Sequence, residues 1–371
     1  MKLIRFELRK LIYSKKFLYL LAFIIIGIVG LFVRNVLFQE KVIKEEKEQI
    51  NSYQRQSYWL EDSYEQQLIR KPNDEEAKER LQLMQHISEA LRHKAELIGS
   101  PSDWREFLEW DNTFMTYVLA YLDREGEFGI NKRDITHKQA INNRLLEDNI
   151  SPEHRYSISM PLFLKQMVDL FINLGGLIIL LVLVGDILVY EFENESIKLL
   201  YTQPLKRTGI FVSKFVTVCI VYFIIIGLLF GLASMLSYTF GEKGTFQYPI
   251  LIEKHQQLDF ITVFEYIFQA MVTTTVTLFL MVSLSLLYSI LFKQTLFMLF
   301  SVVLTLFGGF ALFSIIPWSF MSWVNPFQYL LGEERIIKQI FQSWYDGIPI
   351  IIALTILLVI ITWRRIKTSY I

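Results

Sequence analysis

The residues of this chain best able to do chemistry crowd into one stretch, "VYEFENESIKLLYTQPLKRTGIFVSKF", Val189 to Phe215. Glu191, Glu193 and Glu195 alternate along it, and Lys206, Arg207 and Lys214 follow Pro204. Carboxylates and cations at such spacing can pair with each other or with a charged partner surface. They supply no nucleophile and base in the order that covalent catalysis needs. Elsewhere the ingredients of catalysis are scarce. The sequence has no G-x-x-x-x-G-K-[ST] to cradle a phosphate and no H-E-x-x-H to hold zinc. His86 and His93 fall two turns apart on one expected helix, too far for a two-ligand metal pair, and read as solvated surface residues. We therefore expect no catalytic, cofactor-binding or metal-binding residue in the chain.

The charges border oily sequence. The 371 residues are 53% hydrophobic and 15% aromatic, and the apolar ones gather in blocks. A helical span needs roughly 20 mostly apolar residues. Phe17–Phe38, Met167–Tyr190, Ile210–Phe240, Phe260–Phe292, Leu296–Trp318 and Ile348–Trp363 reach or approach that length. The expected fold is an all-α polytopic membrane protein with six transmembrane helices. The first block is too long for a signal-peptide core and reads as an anchor. Net charge is zero, which hides an asymmetry between loops. Lys2, Arg5, Arg9, Lys10, Lys15, Lys16, Lys198, Lys206, Arg207, Lys214, Lys293, Arg364, Arg365 and Lys367 fall on one side, which puts both termini in the cytoplasm. A bacterial plasma membrane is the expected location. Cys219 is the single cysteine, so no intramolecular disulfide forms.

Four regions follow. Residues 1–16 read as an amphipathic helix in the headgroup plane, with Leu3, Ile4, Leu8, Leu11 and Ile12 at helical spacing. Residues 17–38 are the first span. Residues 39–160 read as a helical extracytoplasmic insertion between the first and second spans. In it Pro72 breaks a charged helix, Ala77 to Ile98 repeat at three- and four-residue steps, and further helices cover Ser102–Arg124 and Ile135–Asn149. Residues 161–371 hold the remaining spans, with an outer interfacial helix at about 330–344. Small and hydroxylated residues in the spans suit close packing. Asn173, Thr274, Thr277 and Ser285 are the candidates for a translocation path. Asp169 and Arg34 border spans, and a pairing between them is open.

The charged stretch itself reads as a short helix at about 191–207. Asn194 is a suitable N-cap, Ile197, Leu200 and Tyr201 share a face, and Pro204 ends the helix. An apolar face rimmed by charge is what docking into a groove on another protein requires.

"EFENESIKLLYTQPLKR" resembles the first cytoplasmic loop of ABC-2 type permeases, roughly E-x-E-x-G-T-x-x-x-L-x-x-x-P-x-x-R with a later Lys. Glu191, Glu193, Leu200, Pro204, Arg207 and Lys214 match, Ser196 replaces the Thr, and Glu195 stands at the Gly. The amphipathic start, six spans and outer helix before the last span resemble that family too. The resemblance implies a permease subunit of an ATP-driven exporter, without its own ATPase site. It implies two ATP-binding subunits as partners, which would carry ATP and Mg²⁺, and a second permease copy or a homologous permease. ATPase docking would fall to Glu191, Glu193, Ser196, Ile197, Leu200, Tyr201, Pro204 and Arg207. A mechanotransmitting ABC membrane subunit or a non-transporting resistance protein is the alternative.

Overall fold

An apolar run followed by charges at i, i+4 spacing favours one uninterrupted helix, and that is what residues 15–70 form. The computed structural model describes residues 2–99, 103–194, 207–241, 243–315 and 324–368. It divides into two compact units, one of residues 1–31, 159–243 and 252–371, the other of residues 32–158 and 244–251.

In the first unit, α1 (Lys2–Ile12) is short and buries Glu7 and Leu11 while leaving Phe6 exposed. Helix α2 (Lys15–Arg70) begins here and contributes to both units without a break. The expected boundary at residue 38 is therefore not a helix end. Lys41–Glu45 at 3.8 Å and Lys44–Glu48 at 3.9 Å carry the helix on once the apolar residues stop.

The second unit is a helical domain. Helix α2 ends one residue before Lys71-Pro72, as the steric conflict ahead of proline dictates. Asp74 caps α3 (Glu75–Leu97) by accepting from the Ala77 N–H at 3.1 Å. Gly99, at φ +84°, turns the chain. Then follow α4 (Trp104–Asp123) and α5 (Lys132–Asp148), the latter starting a turn earlier than its periodicity suggests because Asn131 caps it. Ile50, Met84, Ile87, Leu91, Phe114, Val118, Tyr121 and Ile135 make the core. His86 and His93 are not simply solvated. Each stacks on an aromatic ring of α4, His86 on Tyr117 at 4.8 Å and His93 on Trp110 at 4.1 Å.

A charge also lies in that core. Lys94 and Asp111 are paired and buried, with Lys138 at 3.1 Å and the Asn142 amide donating at 2.8 Å to the same carboxylate. Burial pushes the Asp111 carboxyl up, but Lys94, Lys138 and Asn142 outweigh it and hold it below the usual carboxylate range.

Back in the first unit, the expected second span is two helices. α6 (Met160–Ile172) and α7 (Leu174–Glu193) meet at Asn173, whose ψ of −161° breaks the helix. Gly175 makes the break possible, since a Cβ there would meet the Leu170 carbonyl at 2.7 Å. α8 (Arg207–Phe240) is apolar all round, as a lipid-facing helix is. The loop after it is not irregular. β1 (Pro249–Lys254) and β2 (Gln257–Thr262) form a hairpin whose turn residues, His255 and Gln256, both have positive φ. α9 (Val263–Phe292) starts in a capping box between Thr262 and Glu265 and ends at Lys293 in the left-handed region. α10 (Thr295–Ile315) begins two residues later.

The expected interfacial helix at 330–344 is corrected. Only α11 (Gly332–Ile337) is helical there, and β3 (Lys338–Gln339) follows, parallel to β1 with Glu253 opposite Lys338. The Gln339 side chain accepts from the Trp344 N–H at 3.2 Å, and Tyr329 donates to the Trp344 carbonyl at 2.5 Å. These cross-bonds fold the segment back on itself where a helix would extend it. The small sheet has the order β2-β1-β3 within a mostly helical fold, consistent with the expected α-helical polytopic class. α12 (Ile348–Thr368) closes the chain's described part.

Five helices among the described residues, α2, α8, α9, α10 and α12, are long and apolar enough to cross a membrane.

Asp111 is the test of the second unit's core. Removing one partner of a buried ion pair costs about 3 kcal/mol or more. Asp111→Ala in the full chain is expected to lose that much, seen as faster amide exchange in α3, α4 and α5. Its folded pKa is depressed, so its contribution is complete above pH ~4 and declines as pH falls through the folded pKa.

Candidate functional site

The last turn of α7 carries two carboxylates two residues apart. Two helical steps are about 200°, so Glu191 and Glu193 point to nearly opposite sides. Each finds a different partner.

Glu191 is 3% exposed and ion-paired to Lys214 of α8, which is 2% exposed. Lys10 of α1 reaches the same carboxylate at 3.1 Å and lies 4.7 Å from the Tyr190 ring centre. Lys214 stands 3.7 Å from Glu7, also on α1. Burying an ammonium is tolerable only beside opposite charge. Two carboxylates and two amines thus join α1, α7 and α8, with Glu7, Glu191 and Lys214 buried and Lys10 at the edge toward water. Burial pushes the Glu7 carboxyl above the usual range, an effect Lys214 and Lys10 only partly offset.

Glu193 turns the other way and accepts the Thr295 N–H at 2.6 Å. That N–H is the first of α10 and has no partner within its own helix. A carboxylate at the positive end of a helix is favourable on two counts, the hydrogen bond and the dipole. The tight turn Lys293–Gln294 between α9 and α10 puts this N-terminus within reach.

Asn194 caps the end of α7 by donating its side-chain amide to the Tyr190 carbonyl at 2.8 Å. The helix it was expected to start lies outside the described residues. Ser196, Ile197, Leu200, Tyr201 and Pro204 lie outside the described residues, as does the side chain of Arg207. What is described is the frame on either side of them.

The candidates for a path behave differently from one another. Asn173, Thr274 and Thr277 line one small cleft of about 20 Å³ with Tyr329 and Leu330, enough for a single water. Thr274 and Thr277 donate to carbonyls one turn back in α9, and Ser285 does the same to Met281. The Asn173 amide donates to Glu333 at 2.8 Å, tying the break between α6 and α7 to α11. Beside it an open groove of about 770 Å³ is lined by Asp169, Asn173, Glu333, Glu334 and Lys338. Asp169, for which the sequence offered Arg34, is held by Lys165 at 2.7 Å and by the Tyr266 hydroxyl at 2.6 Å. Among the described residues no group of three or more His, Cys, Asp or Glu side chains is placed to hold a metal.

Sequence reading missed Glu7, Lys10 and Thr295 as partners of the charged stretch. The available signal was Glu7 within the basic helix: a single acid among Arg5, Arg9 and Lys10.

The long apolar helices mark a multi-pass membrane protein. A family model described as ABC-2 family transporter protein matches residues 1–364, and the chain belongs to that family. No curated protein and no solved structure matches it.

Glu7 and Lys214 are expected to respond to substitution in opposite senses. Glu7→Gln removes a carboxylate that burial disfavours and should leave thermal stability unchanged or raised. Lys214→Met leaves the buried Glu191 with only the half-exposed Lys10 as its ammonium partner and should cost about 3 kcal/mol. Melting of the detergent-purified protein, followed by intrinsic fluorescence, reads both.

Proposed function

We propose that the chain is the permease subunit of an ATP-driven exporter in a bacterial plasma membrane. It works as a dimer, with itself or a homologous permease, on two separate ATP-binding subunits that carry ATP and Mg²⁺. The substrate class is a peptide, an antibiotic or a lipid-like molecule. The α6–α7 pair serves as a further span beside the five long helices, giving six, with both termini cytoplasmic.

The clamp around residues 195–206 is the observation that supports this reading. The segment leaves α7 just past Glu193 and enters α8 seven residues before Lys214. Its apolar residues Ile197, Leu200 and Tyr201 are offered to the ATPase, with Ser196, Pro204 and Arg207 shaping the surface. Force applied there divides at the two carboxylates. Glu191 hands it to α1 and α8 through Lys214 and Lys10, and Glu193 hands it to α10 through Thr295. Glu191 is then a positioning residue buried inside the permease, Glu193 is an exposed one held by Thr295, and the contact with the partner falls to the loop between them and α8. Rigid connections of this kind let a small displacement at one surface rearrange packed helices.

On the substrate side, Asn173, Thr274 and Thr277 line the path where it is narrow. The Asn173–Glu333 hydrogen bond holds α6–α7 against α11 in the closed arrangement. Ser285 lies farther along α9 on the same path.

A second reading, mechanical transmission without passage of substrate, draws on the unbroken course of α2 into the second unit. Reconstituted vesicles separate the two, because only the exporter shows ATP-dependent movement of a labelled peptide across the bilayer.

Leu200→Asp is expected to abolish co-purification with the ATP-binding subunit while leaving the permease's melting temperature unchanged. Burying a carboxylate in an apolar groove costs several kcal/mol, a loss of 100-fold or more, roughly, in affinity. Undiminished complex yield in this variant rules out docking through the loop.

A further inference from the structure

Arg34 interrupts the apolar run of α2 after Phe17–Val33. At 1.5 Å per residue it lies ~27 Å along the helix from Lys16, close to the ~30 Å thickness of bilayer hydrocarbon. Lys16 and Arg34 therefore mark the headgroup levels of opposite leaflets.

A small aromatic and basic assembly surrounds Arg34. Asn35, fully buried, donates to the Ser157 carbonyl at 3.2 Å and fixes residues 155–157 against the helix. The Tyr156 ring then sits 5.6 Å from that of Phe38. Arg34 and Arg155 both lie over the Tyr156 ring, at 5.3 Å and 4.8 Å from its centre. Lys41 lies 5.0 Å from the Phe38 ring centre. Cation–π attraction favours each cation separately, but two guanidinium groups on one ring repel each other.

Among the described residues the neighbouring carboxylates do not cancel that charge. Lys41 and Arg155 share a single carboxylate, Glu45, at 3.8 Å and 2.9 Å. Arg34 donates to the amide oxygen of Asn35 at 2.9 Å and 3.3 Å, a neutral acceptor. Three cations thus meet one carboxylate at a depth where the bilayer carries phosphates. Guanidinium is the side-chain group best matched to a phosphate, because its donors bind two oxygens at once.

We propose that Arg34, Arg155 and Lys41, arranged around Tyr156, form a binding site for the phosphate of an anionic phospholipid headgroup. Arg34 supplies a charge that no carboxylate among the described residues answers, Tyr156 holds the two guanidinium groups in register, and Asn35 positions Tyr156. The site is independent of ATPase docking and stands whether or not the chain exports a substrate.

The experiment uses the full chain in detergent with equal amounts of phosphatidylglycerol and phosphatidylcholine, with bound lipid counted by native mass spectrometry. The wild type is expected to retain phosphatidylglycerol preferentially, and Arg34→Gln to lower that preference about fivefold, the usual worth of one basic residue near an anionic surface. Arg34→Lys keeps charge without the planar fork and is expected to fall between them. Equal phosphatidylglycerol retention by wild type and Arg34→Gln overturns the proposal. So does displacement of the lipid by inorganic phosphate at matched concentration, which would assign the site to a free anion. Should Arg34→Gln fail to fold, the wild type decides alone: no preference for phosphatidylglycerol over phosphatidylcholine refutes the site.

Discussion

One ammonium group organises the membrane-embedded unit. Lys214 is almost entirely out of water, on a helix whose other residues are chosen for lipid. Burying such a group is costly unless a carboxylate lies in contact with it. Glu191 meets the need from α7 and Glu7 from α1, so three elements distant in sequence are fixed to one point. Apolar packing alone would not do this, because lipid tails compete with protein for apolar helix faces. The buried charge gives the contact a specific register that greasy surfaces lack.

The second unit solves a similar problem in a similar way. Lys94 and Asp111 stand on the stripes of α3 and α4 that otherwise carry Met84, Ile87, Leu91, Phe114 and Val118. Hydrophobic isosteres of equal volume could fill the space at no loss of stability. The pair, with Lys138 and Asn142 around it, instead admits only one mutual placing of α3, α4 and α5. The stacks of His86 on Tyr117 and His93 on Trp110 follow the same interface, seven residues apart on each helix in opposite directions. Antiparallel register is thereby specified at several points along one seam.

Legibility in the sequence followed the range of the interactions concerned. Apolar blocks, the stop at Pro72, the cap at Asp74 and the glycine at Gly99 are local, and each is visible in a short window. The break at Asn173 is nearly local, written in Gly175 and Gly176, but an apolar run hides it because glycines are ordinary in membrane helices. The hairpin at 249–262 escaped notice since His255 and Gln256 occupy turn positions that usually announce themselves with Asn or Gly. At 330–344 the amphipathic pattern suggested helix, whereas bonds from Tyr329 and Gln339 to Trp344 decide otherwise. The candidate site was half legible. Its glutamates were conspicuous, but their partners on α1, α8 and α10 come from far along the chain, and charge pairs at long range leave no spacing to read.

Helix α2 carries a further consequence through its phase. Its buried positions include Ile24, Ile28, Phe32 and Asn35 in the apolar part and Ile50, Ser57 and Tyr64 beyond it, all counted along one continuous spiral. Inserting a single residue between Asn35 and Ile50 would turn the second set by about 100° against the first and lengthen the helix by ~1.5 Å. Two residues would nearly invert it. Only insertions or deletions close to whole turns, seven residues being the nearest to two of them, would return both stripes to their neighbours. The stretch from Val36 to Gln49 buries no side chain fully, yet its length sets the phase between Asn35, bonded to Ser157, and Ile50 in the core of the same unit.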